Sequence, residues 1–201
     1  MAPIDTDRVE AAVAEILAAI GEDSARPGLV ATPARVAEAY ADFFSGLHVD
    51  PVSHLADTVE LQLPEGERGD LVLLRDISFR SICEHHLLPF LGTAHVAYIP
   101  NKRVVGLGKL PKVVDTLASR PQLQERLTEE IADALQAGLD PLGVLVVLDA
   151  SHGCVTARGA RQANSTTVTM ATRGVLVDPV ERAEVIALIG RGTGAGETQH
   201  G

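Results

Sequence analysis

Two helical segments in direct succession, "VVGLGKLPKVVDTLAS" at 104–119 and "PQLQERLTEEIADALQAGL" at 121–139, interrupt a stretch of chain that otherwise reads as strands. In both, apolar residues recur at helical spacing, so each helix has one face to bury. Pro121 reads as the start of the second helix and Gly138 lies near its end. Only the Arg120–Pro121 junction separates the two, which predicts that they fold back and pack antiparallel. Upstream, "TVELQL", "DLVLLRDISFRSI" and "GTAHVAYIP" mix alternation with β-branched residues; downstream, "GVLVVLDASHGCVTARG" and "STTVTMATRGVLV" do the same. Strands, two helices, then strands, with no βαβ rhythm, predict an α+β domain with a mainly antiparallel sheet.

Two further helices precede this domain. Val9, Val13, Ile16, Leu17 and Ile20 form an amphipathic stripe over 6–20, and after "ARPGL" a second helix is expected to start at Thr32 and Pro33 and to end near Gly46. A short helix is expected around 180–189. The organisation read from the chain is a helical segment over 1–48, the main α+β domain over 49–190, and a flexible tail over 191–201.

The charge balance narrows the function. A net charge of -10, few aromatic residues and no Trp argue against a broad nucleic-acid surface or a base-stacking platform, so any anion site must be a local basic pocket. No apolar run is long enough to cross a bilayer, and "MAPIDTDRVE" lacks the pattern of a secretory signal. The expected location is the cytoplasm, with no membrane partner.

Both cysteines stand beside histidines, Cys83 in "SICEHHLLPF" and Cys154 in "SHGC". In a reducing compartment two thiols are more often metal ligands or reactive groups than a disulfide scaffold. Cys83, His86 and Cys154 are the donor types that bind Zn²⁺ with one position left open for water. His85 and His152 would then be available for proton transfer, with Glu84 able to orient one of them. Three other readings compete: a closed structural zinc with His85 or His152 as fourth ligand, an oxidised Cys83–Cys154 pair, and two ordinary core cysteines. A zinc deaminase is disfavoured, because its His-x-Glu and Pro-Cys-x-x-Cys elements are absent.

"SICEHHLLPFLGTAHVAYIP", "RPQLQERLTEEI" and "SHGCVTARG" closely resemble, in order and separation, the signatures of the GTP cyclohydrolase I family, and the resemblance extends from about residue 6 to residue 190. It implies the tunnelling fold, with 49–190 as its catalytic domain, and a homo-oligomer: a decamer of two pentamers with active sites between subunits. It also implies zinc-dependent opening of the guanine imidazole ring of GTP, with release of formate and formation of 7,8-dihydroneopterin triphosphate, a step toward pterins and tetrahydrofolate. By matching motif, Cys83, His86 and Cys154 hold the zinc and His85 and His152 are catalytic. Gln124 and Glu125 recognise guanine, while Arg35, Lys109, Lys112 and Arg158 gather the triphosphate.

Three positions depart from the family pattern. Gly108 stands where Ser is usual, Lys112 replaces a usual Arg and so exchanges a planar fork for a point charge, and Glu38 lies where a basic residue is frequent. These differences imply an alternative: a specialised paralogue with altered phosphate preference, or one arrested at ring opening. A catalytically silent oligomer subunit and a thioimide-forming reductase of related fold are the further readings, and the intact His and Cys set counts against both.

Overall fold

The computed structural model describes residues 4–64 and 66–190, so the tail expected over 191–201 lies outside the described residues. Two short strands, β1 (Thr58–Glu60) and β4 (Arg103–Val105), pair on their own. The main sheet contains β2 (Val72–Cys83), β3 (Pro89–Ile99), β5 (Pro121–Gln122), β6 (Gly143–His152) and β7 (Thr167–Gly174), in the order β5-β2-β3-β6-β7. Every pairing is antiparallel except the short parallel match of β5 to the end of β2. The helices are α1 (Thr6–Ala19), α2 (Thr32–Phe43), α3 (Lys109–Ala118), α4 (Gln124–Leu139), the four-residue α5 (Gly153–Thr156) and α6 (Pro179–Gly190). The architecture is α+β with a mostly antiparallel sheet, as the order of segments predicts.

The two faces of the sheet follow from the period of two along each strand. Phe90, Ala94, Val96 and Tyr98 of β3 and Val144, Val146, Leu148 and Ala150 of β6 enter the larger core, against Leu110, Val113 and Leu117 of α3 and Leu127, Ile131 and Leu135 of α4. The intervening Ala97, Ile99 and Leu145 point to the other face, where Leu176, from the turn after β7, and Val185 of α6 cover them. Both apolar faces of the central strands are thus buried, which explains the near-continuous apolar run "GVLVVL".

β2 changes phase to serve this arrangement. Val72 and Leu74 pack on the larger core before Arg75, but Ile77 and Phe79 do so after it. One extra residue is accommodated between Leu74 and Ile77, opposite Val96 and Ala94, as a β-bulge with Asp76 in the left-handed region at φ 58°. The bulge N–H of Asp76 donates to Nδ1 of buried His95 at 3.3 Å, so it is not left unpaired. This is why "VLLRDISF" shows only broken alternation.

Several boundaries differ from the sequence reading. Pro121 does not start a helix: with Gln122 it lies alongside Ile82 and Cys83, and α4 begins at Gln124. Proline suits either place, since it lacks an N–H and its φ fits both, and the long-range pairing decides. Val104 and Val105 belong to β4, so α3 starts five residues later than its apolar pattern suggests. β6 stops at His152, where α5 takes over, and β7 is confined to Thr167–Gly174 before a 3-10 turn at Val175–Val177.

Gly174 makes that last turn possible. Its φ is 59°, and a Cβ there would collide with the Leu142 carbonyl. Gly174→Ala is expected to destabilise the fold by about 2–3 kcal/mol. Gly106→Ala, at an exposed glycine whose Cβ would meet nothing within 4 Å, should stay within roughly 0.5 kcal/mol. Denaturant melts of the two variants check this.

Candidate active site

Cys83 closes β2, and the chain turns at once. The Leu87 N–H donates to the Cys83 carbonyl at 2.8 Å and the Cys83 N–H to the Leu88 carbonyl at 2.9 Å, so residues 84–87 form a tight loop whose last residue takes φ 52°. The loop is also tied sideways: the Glu84 N–H donates to the Gln122 carbonyl at 3.1 Å. Cys83 is buried, whereas His85 and His86 project from the loop with their rings edge to face at 6.4 Å.

Glu84 does not orient a histidine. Its carboxylate accepts from Arg126 Nη2 at 2.6 Å, and Arg126 also donates Nε to Gln122 Oε1 at 3.0 Å. Gln122 in turn donates to the Leu117 carbonyl and to Glu130. The ion pair is partly exposed and worth little as energy, but it anchors the histidine loop to α4. Arg126 immediately follows the "QE" pair in sequence, yet nothing local marks it as the partner of Glu84.

His152 ends β6 directly opposite Phe90, and the two rings stack with centroids 4.7 Å apart and planes 3° from parallel. Its Nε2 lies 2.7 Å from Gln124 Oε1. The direction of that bond follows from the other end of the amide: Gln124 Nε2 faces the carbonyls of Thr167 at 2.7 Å and Leu148 at 3.3 Å, which can only accept. The oxygen must therefore face His152, whose Nε2 carries the proton, and the neutral ring keeps the Nδ1 lone pair for other work. Burial holds the imidazole below its usual range, and the nearby Glu125 carboxylate pulls the other way.

Gln124 is 1% exposed, so this structure places its side chain inside the protein as a support for His152. Glu125, the next residue, is exposed and lines an open cavity of about 450 Å³ with Thr128, Thr169 and Met170. The two members of the pair therefore differ in kind, which the flat sequence does not reveal. Phe90 is a second support that the sequence reading missed; only its pairing with His152 identifies it.

Cys154 lies in α5, the turn that follows His152. Gly153 packs so closely on the start of β3 that a Cβ there would lie 2.9 Å from the Pro89 carbonyl. The Cys83 main chain bonds to Leu88 and Cys154 follows Gly153, so both cysteines flank the Leu88–Pro89 segment at one end of the sheet, and neither is in a disulfide. Among the described residues no three His, Cys, Asp or Glu side chains form a ready-made metal cluster. The donor set, two thiols and imidazole on one end of the sheet, matches zinc in chemical type.

The basic residues are dispersed. Lys109 and Lys112 sit in the first turn of α3, near Val105, whose N–H donates to Tyr98 at the far end of β3. α3 then runs roughly 15 Å toward the Ser119–Gln122 segment beside Cys83, by its rise per residue. One chain thus keeps Lys109 and Lys112 apart from His152. Lys109 meets Asp57 at 3.8 Å in a partly exposed pair. Arg158 is exposed shortly after α5, and Arg35 and Glu38 are exposed on α2. α1, Tyr40 of α2 and Leu87 of the histidine loop share a cavity of about 480 Å³.

The chain is similar to known proteins over nearly its whole length. The family model described as GTP cyclohydrolase I matches residues 9–190. The GTP cyclohydrolase 1 of Leifsonia xyli subsp. xyli is 62% identical over 192 residues, covering 96% of this chain and 99% of the relative. That of Caldanaerobacter subterraneus subsp. tengcongensis is 52% identical, covering 92% of this chain and 97% of its own. Among solved structures, the apo archaeosine synthase QueF-Like aligns over 54% of this chain and 97% of its own at 21% identity and a TM-score of 0.45, a likeness too slight to argue from. The chain belongs to the GTP cyclohydrolase I family.

Proposed function

We propose that the protein is a zinc-dependent GTP cyclohydrolase I, which hydrolyses the imidazole ring of GTP, releases formate and closes the pterin ring of 7,8-dihydroneopterin triphosphate. The observation that carries this is the meeting, at one end of the sheet, of the Cys83–His86 loop, the Cys154 turn, the buttressed His152 and the exposed Glu125. Cys83, His86 and Cys154 would hold Zn²⁺, which supplies Lewis acidity for hydrolytic attack when bound.

The chain's own groups account for the rest. His152, neutral with Nδ1 unprotonated, exchanges a proton with a ring nitrogen as the C8 bonds break, and His85, exposed on its loop, serves as the second proton carrier. The Glu125 carboxylate accepts from the guanine amino and ring N–H groups, a donor pattern that adenine lacks. Gln124 acts here through His152 and not by touching the base. Arg35, Lys109, Lys112 and Arg158 gather phosphate charge.

The distance of Lys109 and Lys112 from His152 supports a site completed by a second copy of the chain. Further support comes from the sheet, in which, among the described residues, β7 is one edge and β2 before Ile82 has no partner on its outer side. α1 buries none of its residues completely, with Ile16 58% exposed. The tunnelling fold, assembled as a decamer of two pentamers, accommodates all three features. No described helix is long and apolar enough to cross a membrane, and a cytoplasmic location is part of the proposal.

Zinc-loaded protein incubated with GTP should yield equal formate and neopterin after oxidation. His152→Ala should lower turnover about 10²- to 10⁴-fold, and Cys154→Ala should lose both turnover and zinc by elemental analysis. Formate without neopterin would mean arrest at ring opening; neither product from zinc-bound wild type would mean a silent subunit.

One observation favours altered phosphate preference as a second reading. Gly108 caps α3 without a side-chain hydrogen bond, at φ -66°, and a Cβ there would meet nothing within 4 Å. The position has no backbone or packing need for glycine. Gly108→Ser is expected to raise stability by a few tenths of a kcal/mol as an N-cap, about the Ser–Gly difference at such sites. On this reading it should also lower KM for GTP severalfold while leaving guanosine unaffected. A steep wild-type preference for GTP over GDP, GMP and guanosine would dismiss it.

A further inference from the structure

Behind Gln124 lies a closed hydrogen-bonded ring whose proton order is dictated by its geometry. The Thr128 hydroxyl donates its one proton to the main-chain carbonyl of Gln124, one helical turn back, at 2.7 Å. Thr128 Oγ1 and Thr169 Oγ1 are also 2.7 Å apart. A hydroxyl has a single proton, so that second contact must be donated by Thr169. Thr169 Oγ1 then has lone pairs only for its remaining neighbour, Gln124 Nε2 at 3.1 Å. The amide's two N–H groups go to Thr169 Oγ1 and to the Thr167 carbonyl, with Leu148 O at the longer distance of 3.3 Å. Its oxygen is presented to His152 Nε2.

We propose that Thr128 and Thr169 are positioning residues for His152: the Thr167 carbonyl sets which way the Gln124 amide faces, and the two hydroxyls hold the amide there, so that its oxygen keeps the imidazole as one tautomer, Nε2–H, with Nδ1 as its available nitrogen. This rests on the reading of His152 as a proton carrier in the proposed reaction. Thr128 and Gln124 are both 1% exposed, while Thr169 is partly buried at the cavity beside Glu125, where a valine methyl in place of its hydroxyl keeps the space filled. The three elements involved are α4 for Gln124 and Thr128, β7 for Thr169 and β6 for His152. β7 is paired to β6 with Thr169 opposite Leu148, so the ring also reports whether that edge strand is seated. Removing the Thr169 hydroxyl would leave one amide N–H with only the long contact to Leu148, and the amide would be held by the Thr167 carbonyl and His152 alone.

The test uses the full chain in its natural assembly. Solid-state NMR of ¹⁵N-histidine protein at one fixed pH, with the His152 signals assigned by difference from His152→Ala, reads the tautomer directly. Wild type should give a single Nε2–H signature at His152. Thr169→Val should give a mixture of tautomers, and kcat should fall roughly ten- to hundredfold with KM for GTP changed less than twofold, a size usual for groups that orient a catalytic side chain. Thr169→Ser, which restores the hydroxyl, should recover both. Thr128→Val is the second variant if Thr169→Val does not assemble; Thr169 Oγ1 still accepts from the amide there but loses its own anchor, so a smaller shift of the same kind is expected.

A single unchanged tautomer in the assembled Val variants, or a Ser variant as impaired as Val, overturns the proposal. The NMR signature needs no turnover. A tautomer shift in a protein that never converts GTP would uphold the positioning and sink the function, while GTP turnover with an unmoved tautomer would do the reverse.

Discussion

The antiparallel ladder between β3 and β6 sets most of the molecule. It is in register from Phe90 opposite His152 to Ile99 opposite Gly143, without a shift. A slip of one residue would send Phe90, Val96, Val144 and Leu148 to the wrong face. The larger core and the α6 side would then lose their apolar surfaces together. The same register places a flat aromatic ring against His152 at one end and the glycine turn at the other. Stability of the core and orientation of the imidazole therefore share one cause.

Around that ladder several irregularities are each satisfied by a partner. The bulge at Asp76 adds a residue to β2 and frees an N–H, which His95 takes up. The histidine loop leaves the sheet, and Arg126 with Gln122 tethers it. Gln124, buried and polar, has its amide fully engaged. Buried polar groups of this kind specify one arrangement because every alternative leaves a donor or acceptor unpaired. His85, His86, Glu125 and Arg158, by contrast, are exposed, and in the proposed function these are the groups that meet the ligand or another copy of the chain.

Much of the fold was legible because its elements follow local rules. The two consecutive helices, the strand groups on either side and the N-terminal helical pair all stand where apolar periodicity places them. The misplaced boundaries share a reason. Pro121 and Val104 sit in short strands whose existence depends on distant partners, β2 and β1, and no local window contains that information. In the site, the residue types were legible from their spacing and from the family resemblance. The assignment of Glu84 to a histidine was not sustained, because Arg126 of α4 is the nearer and stronger partner for a carboxylate.

The sequence by itself determined the inventory: two thiols beside histidines, a Gln–Glu pair within a helical segment, scattered basic residues, and a strand–helix–helix–strand order that excludes a parallel doubly wound sheet. Tertiary structure alone decided which of these act together. It turned Gln124 inward to Thr169 and His152 while leaving Glu125 outside, and it put Lys109 and Lys112 at the opposite end of α3 from the histidines. Chemistry of a side chain is carried by its residue type, whereas its partner is set by strand register and helix direction, which arise from packing between segments far apart in the chain.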